Sequence, residues 1–268
     1  MPPVGVSPST SEDSVAVDAD AITVDTLLRG RVTLLQPVRG FRSSLDPLLL
    51  SAFVPPPFGR FVDIGCGTGA LAFSLAALDP AATGVGIEIQ PRLSGLAARA
   101  LARNDFAARI AIVEGDVRTS VGRGLLARAS FDLVATNPPF RLVGDGVASP
   151  HPERAAAHHE VSLTLTEWLD AAVALMKPSG RLAVVFAAPR LPELLAALGS
   201  RGLAPRRLRL VHPTPDRPAV RLLLEAQRGG ERPLGIEPPL FLRDPTGHSQ
   251  EVRRMLGEAL DEPVMLYP

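Results

Sequence analysis

Five apolar segments that alternate with helical segments constrain the fold of this chain more than any other feature. Each segment is a nearly continuous run of apolar residues. The five segments are 60–65, 83–89, 109–116, 131–140 and 180–188. Such strands are buried on both faces, and their alternation with helices is typical of a parallel sheet covered on both sides. We therefore predict an α/β fold with a doubly wound, mostly parallel sheet.

Two further strands complete the predicted sheet. Segments 205–213 and 219–227 follow each other with little room for a helix between them. Because parallel neighbours need a long crossover, this spacing predicts an antiparallel hairpin at one edge of a seven-stranded sheet.

The chain of 268 residues divides into four predicted parts. Residues 1–22 are rich in Ser, Pro and acids, which predicts a disordered acidic leader. Residues 23–58 hold a short strand and a helix, and residues 59–228 form the strand–helix domain. The structure of the tail, 229–268, is not indicated by any clear periodicity.

Composition excludes several classes of protein. The single cysteine, Cys66, excludes a disulfide framework, and no apolar run is long enough to span a membrane. The first 28 residues lack both basic residues and an apolar stretch, which argues against a signal peptide and favours a cytoplasmic protein. Residues 29–228 carry 24 basic and 16 acidic residues, which permits a nucleic-acid partner but fits solvated surface charge equally well.

A glycine-rich turn, VDIGCGTGA at 62–70, lies between the first strand of the domain and its first helix. Ligands of open α/β sheets bind outside the carboxyl ends of the strands, where Asp63, Gly65, Gly67 and Gly69 are expected. The turn predicts a nucleoside cofactor. It also satisfies the G-x-G-x-x-A pattern of dinucleotide binding, so a nicotinamide cofactor is an alternative.

Two acids end the next two predicted strands. Glu88 lies where a carboxylate can accept hydrogen bonds from both ribose hydroxyls, and Asp116 where one can accept from an adenine amino group. One such acid alone would favour a solvated strand end. With Asp63, three acids end three successive strands beside a glycine turn, and this pattern favours a binding site.

The fourth strand ends in TNPPF, residues 136–140. An Asn-Pro pair is an ordinary turn signal, so a plain strand terminator is one interpretation. Together with Asp63 to Gly69, Glu88 and Asp116, however, the corner Asn137-Pro138-Pro139-Phe140 resembles the class I S-adenosylmethionine-dependent methyltransferases with an N-P-P-[F/Y] motif. The resemblance covers about 60–228 and implies a Rossmann-like fold, S-adenosylmethionine as cofactor, and methylation of a nitrogen conjugated to a planar system.

The resemblance gives the corner a chemical role. The Asn137 side-chain oxygen and the Pro138 carbonyl can each accept one N–H of an exocyclic amine and stabilise the charge that builds on nitrogen during attack. Phe140 offers a ring face on which the base can stack after it leaves its own stack.

A narrower resemblance lies upstream. Residues 30–53, with Gln36-Pro37, Gly40-Phe41-Arg42 and Asp46, are similar to bacterial tRNA adenine-N6 methyltransferases that modify the anticodon loop of a valine tRNA. The similarity implies Ser44 and Asp46 as cofactor neighbours at the methionine end and tRNA as partner. The loop 141–160 is long, polar and placed directly after the corner, which predicts that it contacts substrate, with Arg141, Arg154 and His159 as candidates. His158 and His248 depart from the family pattern.

Several alternatives stay open. The same fold and corner also serve methylation of an rRNA guanine N2 or a protein glutamine. A non-catalytic binding module and a nicotinamide-dependent oxidoreductase are the alternatives from other classes. The adjacent histidines lack a spaced third ligand, so no metal site is predicted. The oligomeric state, and the RNA and nucleotide modified, do not follow from the sequence.

Overall fold

The computed structural model describes residues 21–138, 163–229 and 233–258. An N-terminal hairpin comes first, in which β1 (Ile22–Leu27) pairs antiparallel with β2 (Val32–Pro37). The sequence pattern predicts only the second of these two strands, at 31–37. In the turn between them, Leu28 and Arg29 adopt φ values of 49° and 56°, a left-handed conformation that is normally expected of Gly, Asn or Asp. Helix α1 (Asp46–Phe53) follows the hairpin.

The predicted central sheet is present. Its seven main strands are β3 (Arg60–Ile64), β4 (Thr83–Glu88), β5 (Ile110–Glu114), β6 (Phe131–Thr136), β7 (Met176–Ala187), β8 (Leu203–His212) and β9 (Arg221–Arg228). They lie in the order β5-β4-β3-β6-β7-β9-β8. Neighbours from β5 to β7 are parallel, whereas β9 runs antiparallel to β7 and to β8. The α/β class, the mostly parallel sheet and the antiparallel hairpin are confirmed. In the hairpin, the later strand β9 lies between β7 and β8, so the earlier strand β8 is the outer one.

Helices cover both faces of this sheet. They are α2 (Ala70–Leu78), α3 (Pro91–Leu101), α4 (Val117–Ser120), α5 (Leu165–Leu175) and α6 (Leu191–Gly199). Consecutive strand residues point to opposite faces. Phe61 therefore packs in the core beneath α1 to α3, whereas Val62 packs in the core beneath α5 and α6. Both side chains are fully buried, as expected of a strand at the centre of a covered sheet.

The described part of the tail attaches to the edge of the sheet. Strands β10 (Gly235–Ile236) and β11 (Leu240–Phe241) pair with β8, and β12 (Arg243–Asp244) pairs with β13 (Gly247–His248). Helix α7 (Gln250–Met255) is the last helix of the described residues. Arg207 and Arg209 on β8 hold this tail through ion pairs to Glu237 at 2.6 Å and Glu251 at 2.7 Å. None of the helices within the described ranges has the length and apolarity that crossing a bilayer requires.

Candidate active site

The carboxyl ends of β3, β4, β5 and β6 meet at one edge of the sheet because these strands are parallel neighbours. A cleft opens at this edge, and segments from the N-terminal region to β9 contribute to its walls. Residues that line it include Phe41, Ser44, Asp46, Asp63, Gly65, Gly67, Thr68, Glu88, Asp116, Asn137, Pro138 and Arg221.

The glycine turn forms the floor of the cleft. The N–H groups of Gly65 and Cys66 both donate to the Ile87 carbonyl, at 2.9 and 3.1 Å, so the end of β4 fixes the turn. Gly65, Gly67 and Gly69 have φ values of 72°, 56° and 92°. These are left-handed conformations that a side chain would strain, which explains why glycine is used three times.

The three glycines face different surroundings. A Cβ at Gly67 would lie 2.8 Å from Phe41 Cε1, and one at Gly69 would lie 2.6 Å from Phe73 Cε2. A Cβ at Gly65 would meet no atom within 4 Å. Gly65 therefore exposes backbone to open space in the cleft, whereas Gly69 permits the packing of α2.

Asp63 holds the start of α2. Its side chain is 1% exposed, and Oδ2 accepts a hydrogen bond from Ala72 N–H at 3.1 Å. Burial raises the pKa of Asp63 to about 8, against the effect of the Ala72 hydrogen bond and with a smaller contribution from the charge of Glu88. Asp63 thus joins the end of β3 to the first turn of α2, on either side of the glycine turn.

Glu88 ends β4 with both carboxylate oxygens anchored. Oε2 accepts from Gly67 N–H and Oε1 accepts from Gln90 N–H, both at 2.9 Å. The side chain is 5% exposed, and burial raises its pKa while the backbone hydrogen bonds oppose that shift. Each carboxylate oxygen has two lone-pair sites, so Glu88 can still accept hydrogen bonds from hydroxyl groups of a ligand.

Asp116 follows β5 and caps α4. Its Oδ1 accepts from Arg118 N–H at 2.9 Å, and Arg118 Nη2 donates to Oδ2 at 2.6 Å. The same guanidinium reaches Glu167 on α5, where Nη1 lies 3.2 Å from Oε1. Hydrogen bonding to Arg118 lowers the pKa of Asp116, which keeps an ionised acceptor at this end of the cleft.

The corner after β6 presents an acceptor with no partner. Thr136 Oγ1 donates to the Ile64 carbonyl at 2.8 Å and ties the end of β6 to β3. Asn137 Oδ1 is shielded from solvent, yet no donor within the described residues bonds to it. Thr68 Oγ1, in the glycine turn, is also shielded from solvent and has no hydrogen-bond partner among the described residues. An unsatisfied buried polar atom costs about 1–3 kcal/mol, and both residues line the cleft, so a ligand can supply the missing partners.

A polar network fixes the segment that forms the outer wall of the cleft. Arg42 donates to Thr23 Oγ1 at 2.8 Å and pairs with Asp25 at 2.5 Å. Gln36 Oε1 accepts from Ser43 N–H at 2.7 Å, and its amide nitrogen donates to Asp25. The hairpin therefore holds residues 41–46, including the Phe41 ring above Gly67.

Two residues of this wall were predicted as cofactor neighbours. Ser44 Oγ accepts from Asp46 N–H at 3.2 Å. Asp46 Oδ2 accepts in turn from Arg221 Nε at 3.2 Å, across 175 residues of sequence. Both Ser44 and Asp46 line the cleft.

The structure brings most of the predicted site together. Ser44, Asp46, Asp63, Gly65, Gly67, Glu88, Asp116, Asn137 and Pro138 line one cleft, and Gly69 supports its floor. Phe140, Arg141, Arg154 and His159 lie outside the described residues. Thr68 and Arg221 also line the cleft but are not among the residues predicted for the site. Thr68 could have been suspected from its place in the turn, whereas nothing in the sequence relates Arg221 to Asp46.

Within the described ranges, no group of three or more His, Cys, Asp and Glu residues could hold a metal ion. The arrangement instead offers hydrogen-bond acceptors at four adjacent strand ends and exposed backbone between them. It can bind a polar nucleoside along the strand ends and present an acceptor to an N–H group at the end of β6.

Comparisons with known proteins agree with this geometry. The family model of the methyltransferase small domain matches residues 44–192, which include the glycine turn, Glu88, Asp116 and the corner at Asn137. The chain is 34% identical over 189 residues to a tRNA1(Val) (adenine(37)-N6)-methyltransferase of Porphyromonas gingivalis, covering 69% of this chain and 73% of that protein. It is 35% identical over 189 residues to a protein of the same name from Dickeya chrysanthemi, covering 69% and 72%.

Solved structures share the fold. A protein from Agrobacterium tumefaciens described as a predicted O-methyltransferase superposes with a TM-score of 0.62 at 28% identity, over 78% of this chain and 94% of that chain. TYW2 from P. horikoshii, solved in complex with MeSAdo, superposes with a TM-score of 0.54 at 15% identity, over 78% and 72%. The predicted resemblance is confirmed: the chain belongs to the methyltransferase small domain family and is a class I S-adenosylmethionine-dependent methyltransferase.

Proposed function

We propose that this chain methylates the N6 amino group of an adenine in the anticodon loop of a tRNA, with a valine tRNA as the first substrate to test. The names of the curated relatives suggest the RNA and the base. The chemistry is supported above all by Asn137 Oδ1, a shielded acceptor at the strand end with no donor among the described residues.

The cleft fits the cofactor. Space beyond Gly65, the unsatisfied hydroxyl of Thr68 and the buried acceptor Glu88 are features that a nucleoside ligand would fill or satisfy. Glu88 accepts hydrogen bonds from the ribose hydroxyls and Asp116 accepts one from the adenine amino group, while Asp63 fixes the start of α2 after the glycine turn. When bound, S-adenosylmethionine supplies an electrophilic methyl group on a sulfonium centre.

The corner then activates the substrate amine. An exocyclic amine on adenine is a weak nucleophile because its lone pair is shared with the ring. The Asn137 oxygen and the Pro138 carbonyl each accept one N–H, which turns the lone pair towards the cofactor and stabilises the positive charge that grows on nitrogen. The surplus proton leaves to solvent after the new N–C bond has formed, so no general base is needed.

RNA recognition is assigned to Phe140, the last residue of the corner, and to residues that follow it. Phe140 stacks on the flipped base, and Arg141, Arg154 and His159 contact phosphates or neighbouring nucleotides. We also propose a cytoplasmic location, in keeping with relatives that are named as tRNA methyltransferases.

Nucleoside analysis tests the substrate. The purified protein is incubated with S-adenosylmethionine and an unmodified valine tRNA transcript, and the RNA is digested and analysed by mass spectrometry. We expect N6-methyladenosine, located to the anticodon loop by nuclease mapping. Parallel incubations supply total tRNA, ribosomal RNA and ribosome-associated protein, and N2-methylguanosine or methylglutamine there, without methylation of any tRNA adenine, would contradict the proposal.

A further inference from the structure

The last residue of β6, Thr136, is joined to the neighbouring strand β3 by its side chain as well as by the sheet. Its Oγ1 donates to the Ile64 carbonyl at 2.8 Å, and the same two residues are partners in the parallel register of the two strands. The Thr136 side chain is fully buried. Its hydroxyl therefore fixes the residue that immediately precedes Asn137.

Thr136 does not reach a ligand itself. Side chains alternate along a strand, so Thr136 shares the sheet face of Val134, which packs in the core beneath α5 and α6. Asn137, the next residue, lines the cleft, whereas Thr136 is not part of the lining that the described residues form. Any effect of the Thr136 hydroxyl on the reaction must therefore pass through the backbone to Asn137.

The Ile64 carbonyl belongs to a series of hydrogen bonds across three strand ends. Gly65, which follows Ile64, donates its N–H to the Ile87 carbonyl at 2.9 Å. Glu88, which follows Ile87, accepts from Gly67 N–H at 2.9 Å. These bonds join the ends of β6, β3 and β4, so the acceptor proposed for the substrate amine and the acid proposed for the cofactor ribose are attached to one frame.

The Asn137 acceptor needs such support. Its Oδ1 is shielded from solvent and has no donor among the described residues, and an unsatisfied buried acceptor favours any rearrangement that brings it to a donor or to water. Pro138, the next residue, has no N–H to add to the sheet. The Thr136 hydroxyl thus adds a hydrogen bond to the strand end where the proline removes a backbone donor.

We propose that Thr136 is a positioning residue for methyl transfer, which holds the Asn137 acceptor at the distance from the cofactor turn that the reaction requires. A displacement of about 1 Å can slow a reaction about 10²-fold, so one hydrogen bond at the strand end can affect the rate without touching a ligand. This inference rests on the proposed role of Asn137 and does not depend on which RNA carries the amine.

Two substitutions isolate the hydroxyl. Thr136→Val keeps the branched shape and removes the donor, whereas Thr136→Ser keeps the donor. We expect Thr136→Val to slow single-turnover methyl transfer to tRNA roughly 10- to 100-fold, while the affinity for S-adenosylhomocysteine changes less than about 2-fold, because the amine acceptor moves and the cofactor contacts stay. Thr136→Ser should restore most of the rate.

A double substitution shows whether the effect passes through Asn137. In the Asn137→Ala background, Thr136→Val should slow transfer further by less than about 2-fold, because the group that it positions is gone. Its effect on the melting temperature should be the same in both backgrounds. A purely structural role would instead slow transfer by the same factor in both backgrounds.

Ser51→Ala is the matched control. Ser51 is 1% exposed, and its Oγ donates to the Leu48 carbonyl at 2.9 Å within α1, so this variant also loses a buried hydroxyl–carbonyl bond. It should lower the melting temperature to a similar extent but leave the transfer rate and the S-adenosylhomocysteine affinity unchanged. If Thr136→Val does not fold, the comparison of Thr136→Ser with Thr136→Ala tests the same hydroxyl.

Three results would overturn the inference. They are a wild-type rate for Thr136→Val, equal slowing in both backgrounds, and a failure of Thr136→Ser to restore the rate. Slow transfer by Asn137→Ala in the same assay would leave the proposed function intact in each case. If Asn137→Ala itself transfers at the wild-type rate, the proposed mechanism is wrong and the inference about Thr136 is wrong with it.

Discussion

Replacing Glu88 by glutamine separates what this side chain does for the fold from what it does for the cofactor. The carboxylate accepts from Gly67 N–H and Gln90 N–H. A glutamine of the same shape keeps one acceptor oxygen but points an NH₂ group at the other N–H. The lost bond to a charged group costs about 1.5–3 kcal/mol. The neutral glutamine, however, avoids the cost of burying a carboxylate charge, which acts in the opposite direction. We expect the free energy of unfolding to change by about 1 kcal/mol or less.

Cofactor affinity should respond more strongly. Two ribose hydroxyls can donate to the carboxylate, whereas the amide can accept from only one of them. The loss of one charge-assisted bond corresponds to about 1.5–3 kcal/mol, or roughly a 10- to 150-fold weaker affinity for S-adenosylhomocysteine. Calorimetry gives the affinity, and denaturant titration gives the unfolding free energy of the same sample.

Glu114→Gln is the matched control. Glu114 lies opposite Glu88 in the register of β4 and β5, but it is exposed and bonds Ser94 at 3.3 Å. This variant should bind S-adenosylhomocysteine with the same affinity as the wild type. If Glu88→Gln also binds like the wild type, the assignment of the ribose to Glu88 is wrong.

The pH dependence of stability and of cofactor affinity provides a second test of the role of Glu88. Burial raises the pKa of Glu88, so the group stabilises the fold at low pH and that contribution is lost as pH rises through the folded-state pKa. Ligand hydroxyls favour the ionised form, so wild-type affinity should fall as pH drops through the raised pKa. Glu88→Gln should lack this fall.

Other substitutions test the floor and the outer wall of the cleft. With its pKa raised to about 8 from 3.8, Asp63 should make wild-type stability fall between these pH values relative to Asp63→Asn in denaturant titrations. Gly69→Ala should lose about 2–4 kcal/mol of stability, because a left-handed φ and contact with Phe73 add together. Gly65→Ala should lose only about 1–2 kcal/mol of stability but block S-adenosylhomocysteine binding in calorimetry, since its Cβ enters the open cleft. Gln36→Leu removes an anchor of residues 41–46 and should weaken the same ligand several-fold; unchanged affinity would show that the hairpin does not organise the wall.

The parts of the fold that could be predicted are those encoded locally. A strand buried on both faces is apolar along most of its length, so β3, β4, β6 and β7 are visible in the sequence as nearly continuous apolar runs. The glycine turn and the acids at the strand ends are also local, since they occupy fixed positions next to these runs.

The parts that could not be predicted depend on long-range packing or unusual backbone. Strand β1 is half exposed and is joined to β2 through Leu28 and Arg29 in a conformation that neither residue normally favours. The Asp46–Arg221 pair exists only because the inserted strand β9 brings its first residue to the edge of the sheet beside α1. No pattern near either residue indicates that contact.

The most direct test of the central claim is single-turnover methyl transfer by Asn137→Ala on unmodified valine tRNA. Removal of one preorganised acceptor should slow transfer about 10²–10³-fold, while affinity for S-adenosylhomocysteine changes far less, because the contact is with the substrate amine. Circular dichroism and cofactor titration first establish that the variant is folded and binds. If it then transfers the methyl group at the wild-type rate, the unsatisfied oxygen of Asn137 has no role in catalysis and the proposed mechanism is wrong.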